Sequence, residues 1–237
     1  RAIEGVRVRP YHADYRQLPE SLADACLAEG RQNGADAVLL DLGLSAAQID
    51  GAEGGISFRQ DGPLDMRKDG PRGEPAAAWL NRATAREIED VLFNLGDERW
   101  ARRIAQVIVD RRKDRPLKTT ADLVDCVLAA VPAAKRDRRL HPATRTFQAV
   151  RIHVNRELDG LEGALGAAAK TLKPGGVMAV LSYHSGEDRA VKRAFRQLAQ
   201  EGSFEETTRK PMTPTEAEVR SNPKSRSAKL RGIRRLS

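Results

Sequence analysis

VMAVLSYHSGEDRAVKRAF, residues 177–195, is the stretch from which the fold can be read. An apolar run (177–181) ends in a hydroxyl, an aromatic ring, an imidazole and a second hydroxyl, at Ser182, Tyr183, His184 and Ser185. Glu187 and Asp188 follow at once, and then apolar residues at helical spacing. This is a strand that delivers polar side chains to one end of a sheet and turns straight into a helix. Ser185 is expected to cap that helix, with Glu187 and Asp188 in its first turn, while Tyr183 and His184 face a substrate. Upstream, ADAVLLDLG (35–43) is another continuous apolar run, closed by Asp41, the pattern of a parallel strand buried on both faces. VRVRPYHADY (6–15) reads as a short strand and loop, and PESLADACLAEG (19–30) as a helix with Leu22, Cys26 and Leu27 on one face. Strand, helix, strand in that order predicts a βαβ unit and an open α/β sheet. Ligands of such sheets lie beyond the carboxyl ends of the strands, where Asp41 and Tyr183 to Ser185 would face one another.

Between these strands the pattern changes twice. Residues 44–75 are rich in Gly, Pro and Asp and hold no sustained period, which in a compact domain marks a functional or mobile loop. From 76 to about 140 the pattern is helical. Thr84 and Glu87 make a T-x-x-E capping box, Trp100, Ile104, Val107 and Ile108 make one apolar face, and Thr120 stands ready to cap 121–131. In 141–172, one long helix or two, Phe147, Val150, Val154, Leu158, Leu161 and Leu165 recur at core spacing. KPGG (173–176) reads as a turn, and SFEETTRK (203–210) as a candidate final strand. The organisation expected is a first sheet segment (1–75), a helical insertion (76–140), a second sheet segment (141–210) and a basic tail (211–237).

A chain of 237 residues that is 40% hydrophobic and 31% charged buries a real core and is not a disordered segment. Its formal net charge of +8 speaks about partners, and the commonest strongly anionic partner is nucleic acid. The runs 111–115 (RRKDR) and 135–139 (KRDRR) are either solvated helix ends or phosphate grips. Cys26 and Cys126 sit in apolar helical contexts without a CxxC, which favours buried thiols in a reducing compartment. No apolar run approaches the roughly 18 residues of a membrane span, so a cytoplasmic location and no membrane partner are expected. His12, His141 and His153 show no metal-ligand spacing, and no metal is expected. No G-x-S-x-G elbow accompanies the Ser, His and Asp residues, which argues against a hydrolase.

Several stretches follow one another in one order and spacing: DLGLSAAQID, GISFRQDGPLDMRKD, LGDERWARRIAQVI, RPLKTTADL, HPATRTFQAVRIHVNREL, LKPGGVMAVLSYHSGEDRAVKRAF and NPKSRSAKLRGIRRL. On these the chain resembles, from about residue 6 onward, the bacterial small-subunit ribosomal RNA cytosine-N4 methyltransferases. The resemblance implies an open Rossmann-like methyltransferase sheet with an inserted helical domain. It also implies S-adenosylmethionine as cofactor, and methyl transfer to the exocyclic amine of a cytidine in the small ribosomal subunit or its RNA. Matched position by position, it implies cofactor contacts at Tyr15, Asp41 and Gln48, with Tyr15 stacking on the adenine. Without the resemblance, Tyr15 reads as a loop aromatic capping the core.

Asp41, Tyr183 and His184 are the candidate catalytic residues. A cytosine amine is a poor nucleophile because its lone pair is delocalised into the ring, so it must be oriented, hydrogen-bonded and finally relieved of a proton. Tyr183 could also stack on a base turned out of the RNA. The chain departs from the family at Ala46, in GGISF (54–58) and at Gly186, and the family's first strand with its Gly-rich loop and ribose-binding acid would precede Arg1. Two alternatives stay open on the residues alone: a non-catalytic RNA-binding remnant, and a methyltransferase for another nucleobase.

Overall fold

β1 (Ala35–Asp41) and β2 (Leu172–Ser182) pair in parallel, and the sheet continues through β4 (Lys229–Arg235) to β3 (Phe204–Glu206) in the order β1-β2-β4-β3. The last two pairings are antiparallel. The computed structural model describes residues 8, 10–28, 34–43, 55–68, 70, 72–137 and 140–237. By its contacts the chain divides into a sheet unit, Arg1–Gly43 with Leu158–Ser237, and a helical unit, Leu44–Glu157. The α/β sheet expected from the sequence is present.

In the sheet unit, α1 (Leu18–Ala28), α7 (Leu161–Lys170) and α8 (Ser185–Gln200) accompany the strands, with the short α9 (Glu216–Ser221) near the C-terminus. Leu161, Leu165, Val191, Phe195 and Leu198 pack with Val38, Met178, Val180 and Ile233 into one core. Those strand residues share a face, because Val38 pairs with Met178 and Met178 with Ile233. The other face differs from the expectation of strands buried on both sides. Leu39 is 68% exposed, Asp41 is exposed, and β2 alternates between buried and half-buried positions. The reason is that β1 ends the described sheet, and among the described residues the core helices pack on the face that carries Val38.

Four further readings change. KPGG is not a turn outside the strand but lies within β2, where the register slips between Ala35 and Ala37. Residues 229–235 are not part of a free basic tail. They form β4, in the interior of the sheet, with Ile233 in the core and Arg231 5% exposed. Leu27, expected on the buried face of α1, is 70% exposed. Residues 8 and 10–14 are not strand, and the remainder of the expected first strand lies outside the described residues.

In the helical unit, α2 (Ala76–Arg82), α3 (Ala85–Gly96), α4 (Ala101–Asp114), α5 (Thr120–Ala130) and α6 (Thr144–Asn155) surround a second core that includes Leu80, Ile88, Leu92, Ile104, Ile108, Leu123, Val127 and Val150. The pattern over 141–172 therefore makes two helices, α6 and α7, one in each unit. The Thr84–Glu87 box closes as expected, with Glu87 N donating to Thr84 Oγ1 at 3.2 Å and Thr84 N to Glu87 Oε2 at 2.7 Å. The next cap is shifted by one residue: Thr119, not Thr120, caps α5, and Thr120 instead receives Gly62 N at 3.1 Å. Gly96 ends α3 against α6, where a Cβ would lie 2.6 Å from Arg145 O, so only glycine allows that approach.

The described part of the long loop is pinned rather than loose. Leu64 and Met66 are buried, and Leu64 N donates to Lys118 O at 3.0 Å. Met66 takes the left-handed backbone (φ 63°) and is held by Asn155, whose Nδ2 donates to Met66 O at 2.7 Å while its Oδ1 accepts Lys68 N at 2.8 Å. The run 111–115 is largely engaged within the fold: Arg111 with Asp125, Arg112 with Leu80 O, Lys113 with Asp110 and Arg115 with Asp122.

One ion cluster ties β4 to α8. Arg231 Nε donates to Asp188 Oδ1 at 2.7 Å, and Lys229 Nζ lies 3.2 Å from Asp188 Oδ2. Burial works to raise the Asp188 carboxyl, but the hydrogen bonds and charges of Arg231 and Lys229 outweigh it and hold it below the usual carboxylate range. A depressed acid contributes stability above its unfolded pKa, and that stability is lost as pH falls through the folded value. Asp188→Asn is expected to destabilise the protein by about 3 kcal/mol at neutral pH, because it leaves a buried guanidinium unpaired. The gap to wild type should begin to narrow below about pH 4, where the unfolded carboxyl takes up protons, and close as pH falls through the lower native value. Denaturant unfolding at both pH values checks the sign.

Candidate active site

The strand ends bring the sequence-predicted acid and aromatic into contact. Asp41 pairs with Leu181 in the parallel ladder, and Leu42 N donates to Leu181 O at 3.0 Å, so β1 and β2 finish side by side. Alternation then puts Asp41 on the same face as Leu181, and two residues past Leu181 stands Tyr183. Tyr183 OH donates to Asp41 Oδ1 at 2.8 Å. Burial, and then this bond to Asp41, push the Tyr183 phenol up to about 12, so at neutral pH it is a neutral donor. Gly43, two residues past Asp41, takes φ 94°, and a Cβ there would meet the Tyr183 ring at 3.4 Å.

His184 does not face outward from this cluster. Its side chain is 7% exposed, and it, not Ser185, is the N-cap of α8: Nδ1 accepts Glu187 N at 3.3 Å. Ser185 is the first helical residue. The cap needs a proton-free Nδ1, so the neutral ring carries its proton on Nε2. Nε2 lies 3.2 Å from Glu187 Oε1 without hydrogen-bond geometry and has no other partner among the described residues. Glu187 is the group that sequence reasoning missed. Read there only as a first-turn acid, it is buried and accepts Tyr183 N at 2.8 Å and His184 N at 3.3 Å on a single oxygen. Burial tends to raise its carboxyl, but His184 and these N–H donors prevail and keep it below the usual range.

Tyr15 stands in a short 3-10 turn ahead of α1, packed against the sheet-unit core, and its hydroxyl donates to Asp159 O at 3.0 Å. Gln48 lies outside the described residues. Among the described residues no group of His, Cys, Asp and Glu is arranged to hold a metal ion, and no helix is long and apolar enough to cross a membrane.

An open α/β sheet whose parallel strands end on a hydrogen-bonded Asp–Tyr pair is one half of the comparison; the chain's relatives are the other. The family model for the MraW methylases matches residues 3–236. The chain belongs to the MraW methylase family. A relative from Pelobacter propionicus, named ribosomal RNA small subunit methyltransferase H, is 48% identical over 216 residues, covering 85% of this chain and 69% of its own length. One of the same name from Geobacter sp. strain M21 is 43% identical over 250 residues, covering 99% and 78%. Another from Stenotrophomonas maltophilia strain K279a is 46% identical over 238 residues, covering 95% and 71%. As a member of the MraW family the chain is a methyltransferase, its sheet is of the Rossmann-like methyltransferase kind, and enzymes of this kind generally use S-adenosylmethionine. The residues present suit that cofactor at its reactive end: an exposed carboxylate beside a neutral phenol, at the carboxyl ends of parallel strands, is a fitting neighbour for a cationic sulfonium.

His184→Asn keeps a side-chain acceptor at the helix cap and His184→Ala does not. The alanine variant is expected to be less stable than the asparagine variant by about 1 kcal/mol, measured by thermal or urea unfolding.

Proposed function

We propose that this chain transfers a methyl group from S-adenosylmethionine to the exocyclic N4 amine of a cytidine in small-subunit ribosomal RNA, and so works in the cytoplasm, where ribosomes are. The observation that carries the reading is the Tyr183–Asp41 bond at the carboxyl ends of two parallel strands. When bound, the cofactor supplies an electrophilic methyl on a sulfonium. The chain's own residues do the rest. With Oδ1 held by Tyr183, Asp41 is oriented and keeps Oδ2 to accept an N–H of the cytosine amine. That bond turns the amine toward in-line attack and draws electron density back onto nitrogen. On methylation the amine would acquire positive charge and have to lose a proton, and Asp41 is the acceptor beside it. Tyr183 donates to the carboxylate and presents its ring to the base, while His184 holds α8 from behind. Tyr15 and Gln48 complete the proposed cofactor contacts.

RNA binding is assigned to the helical unit. A hollow of about 550 Å³ is lined there by Arg99, Trp100, Lys135, His141 and Arg145, with Glu98 at its wall. Cations that meet phosphate beside aromatic rings that stack on bases are the chemistry of single-stranded RNA recognition.

Two measurements test these assignments in the full-length protein. Asp41→Asn should lower N4-methylcytidine formation on small ribosomal subunits at least about 100-fold with an unchanged circular dichroism spectrum. Near-normal turnover would refute the role of Asp41. Replacing Arg99 and Lys135 by alanine should weaken RNA binding and flatten the slope of log K against log salt, by about one unit for each phosphate that is no longer neutralised. An unchanged slope would place the RNA surface elsewhere.

A further inference from the structure

We infer that Glu187 is a positioning residue for methyl transfer: its buried carboxylate fixes the backbone at the end of β2 and thereby holds the Tyr183 phenol against Asp41. The inference rests on the reading of Asp41 and Tyr183 as the transfer centre.

A capping box asks of its acid only that it accept the N-cap amide. Glu187 does so with His184 N at 3.3 Å, but its shorter bond, 2.8 Å, goes one residue further back to Tyr183 N. That second bond contributes nothing to the helix. It fixes the peptide plane from which the Tyr183 side chain departs, four residues before the acid and immediately after the strand. The same carboxylate reaches the end of β1 as well. A Cβ built on Gly43 would lie 3.7 Å from Glu187 Oε1 and 3.4 Å from Tyr183 Cδ2, so both strand ends, the phenol ring and the acid converge there. With its side chain 5% exposed, the acid has no water to relax into, and any shift is passed to its partners.

The physical consequence is leverage. Tyr183 OH sits at the far end of a long side chain, so a small rotation of the Tyr183 peptide displaces the hydroxyl by a larger distance. At 2.8 Å the bond to Asp41 tolerates little of that. If Asp41 turns, its free oxygen no longer meets the amine in line, and misplacement on the order of 1 Å costs about 100-fold in rate. Loss of Glu187 should therefore appear in turnover rather than in substrate binding.

The test compares Glu187→Gln with Asp41→Asn in the full-length protein, with S-adenosylmethionine and unmethylated small ribosomal subunits as substrates. Because both N–H bonds fall on Oε2, the amide carbonyl can keep them only by turning its NH2 onto the protonated Nε2 of His184, and either orientation sets a donor against a donor. For Glu187→Gln, kcat is expected to fall at least tenfold while both KM values stay within about threefold. A second readout needs no turnover: 19F NMR of protein labelled with 3-fluorotyrosine, with the Tyr183 resonance assigned through Tyr183→Phe. Glu187→Gln should move that resonance in the direction in which Asp41→Asn moves it. If Glu187→Gln lowers only the melting temperature and leaves kcat and the resonance at wild-type values while Asp41→Asn is inactive, Glu187 is a helix cap and the inference is overturned alone. If Asp41→Asn stays active, the transfer-centre reading is overturned and this inference with it.

Discussion

Asp41 pairs with Leu181 in parallel, and that one register decides where the chemistry of the sheet unit sits. A slip by one residue would flip Asp41 to the face that carries Val38 and Met178, into the packed core, and would carry it away from Tyr183. The hydrophobic effect protects the register. Val38, Met178, Val180 and Ile233 line up across three strands only in this alignment, and together they bury against α7 and α8. Asp41 and the Tyr183 ring are left on the less covered face, at the end where both strands finish.

Around that register, the buried charges of the sheet unit that are described are held by partners. Arg231 enters the sheet interior because Asp188 meets it from the first turn of α8, and Lys229 shares the same carboxylate. Glu187, one residue earlier, turns instead to the backbone of Tyr183 and His184. The two adjacent acids thus have separate tasks: one locks β4 against the helix, the other locks the end of β2. The helical unit follows the same rule. Asp122 is buried and accepts Lys118 N and Thr119 N while pairing with Arg115, and Asn155 compensates the left-handed backbone of Met66. Placing a buried residue in that conformation has a cost, and Asn155 offsets it with bonds to Met66 O and to Lys68 N.

Much of this was legible in the residues. Apolar runs closed by Asp41 and Ser182 announced two strands, and the three- and four-residue spacing of Phe147, Val150, Leu161 and Leu165 announced core helices. The Thr84–Glu87 box closes as its spacing predicts, since a cap is made within one turn. What was misread depends on neighbours distant in sequence. The exposure of Leu39 depends on which elements flank β1, and the place of residues 229–235 depends on the gap that β2 and β3 leave between them. A string of basic residues punctuated by Ser looks the same whether it is a solvated tail or an interior strand. Only the partner acid Asp188 separates the two cases.

The sequence by itself determined the class of fold, the two parallel strands, the core helices, the candidate pair Asp41 and Tyr183, and, through its ordered motifs, the family. Each of these rests on local periodicity or on residue identity, which a linear reading can follow. The tertiary structure alone decided that the Tyr183 hydroxyl reaches Asp41, that His184 rather than Ser185 caps α8, and that Glu187 rather than His184 holds the strand end. The physical reason is that hydrogen-bond partners are chosen by direction as well as proximity. Ser, His and Glu all cap helices in principle, and which one does so here follows from the path along which β2 enters α8.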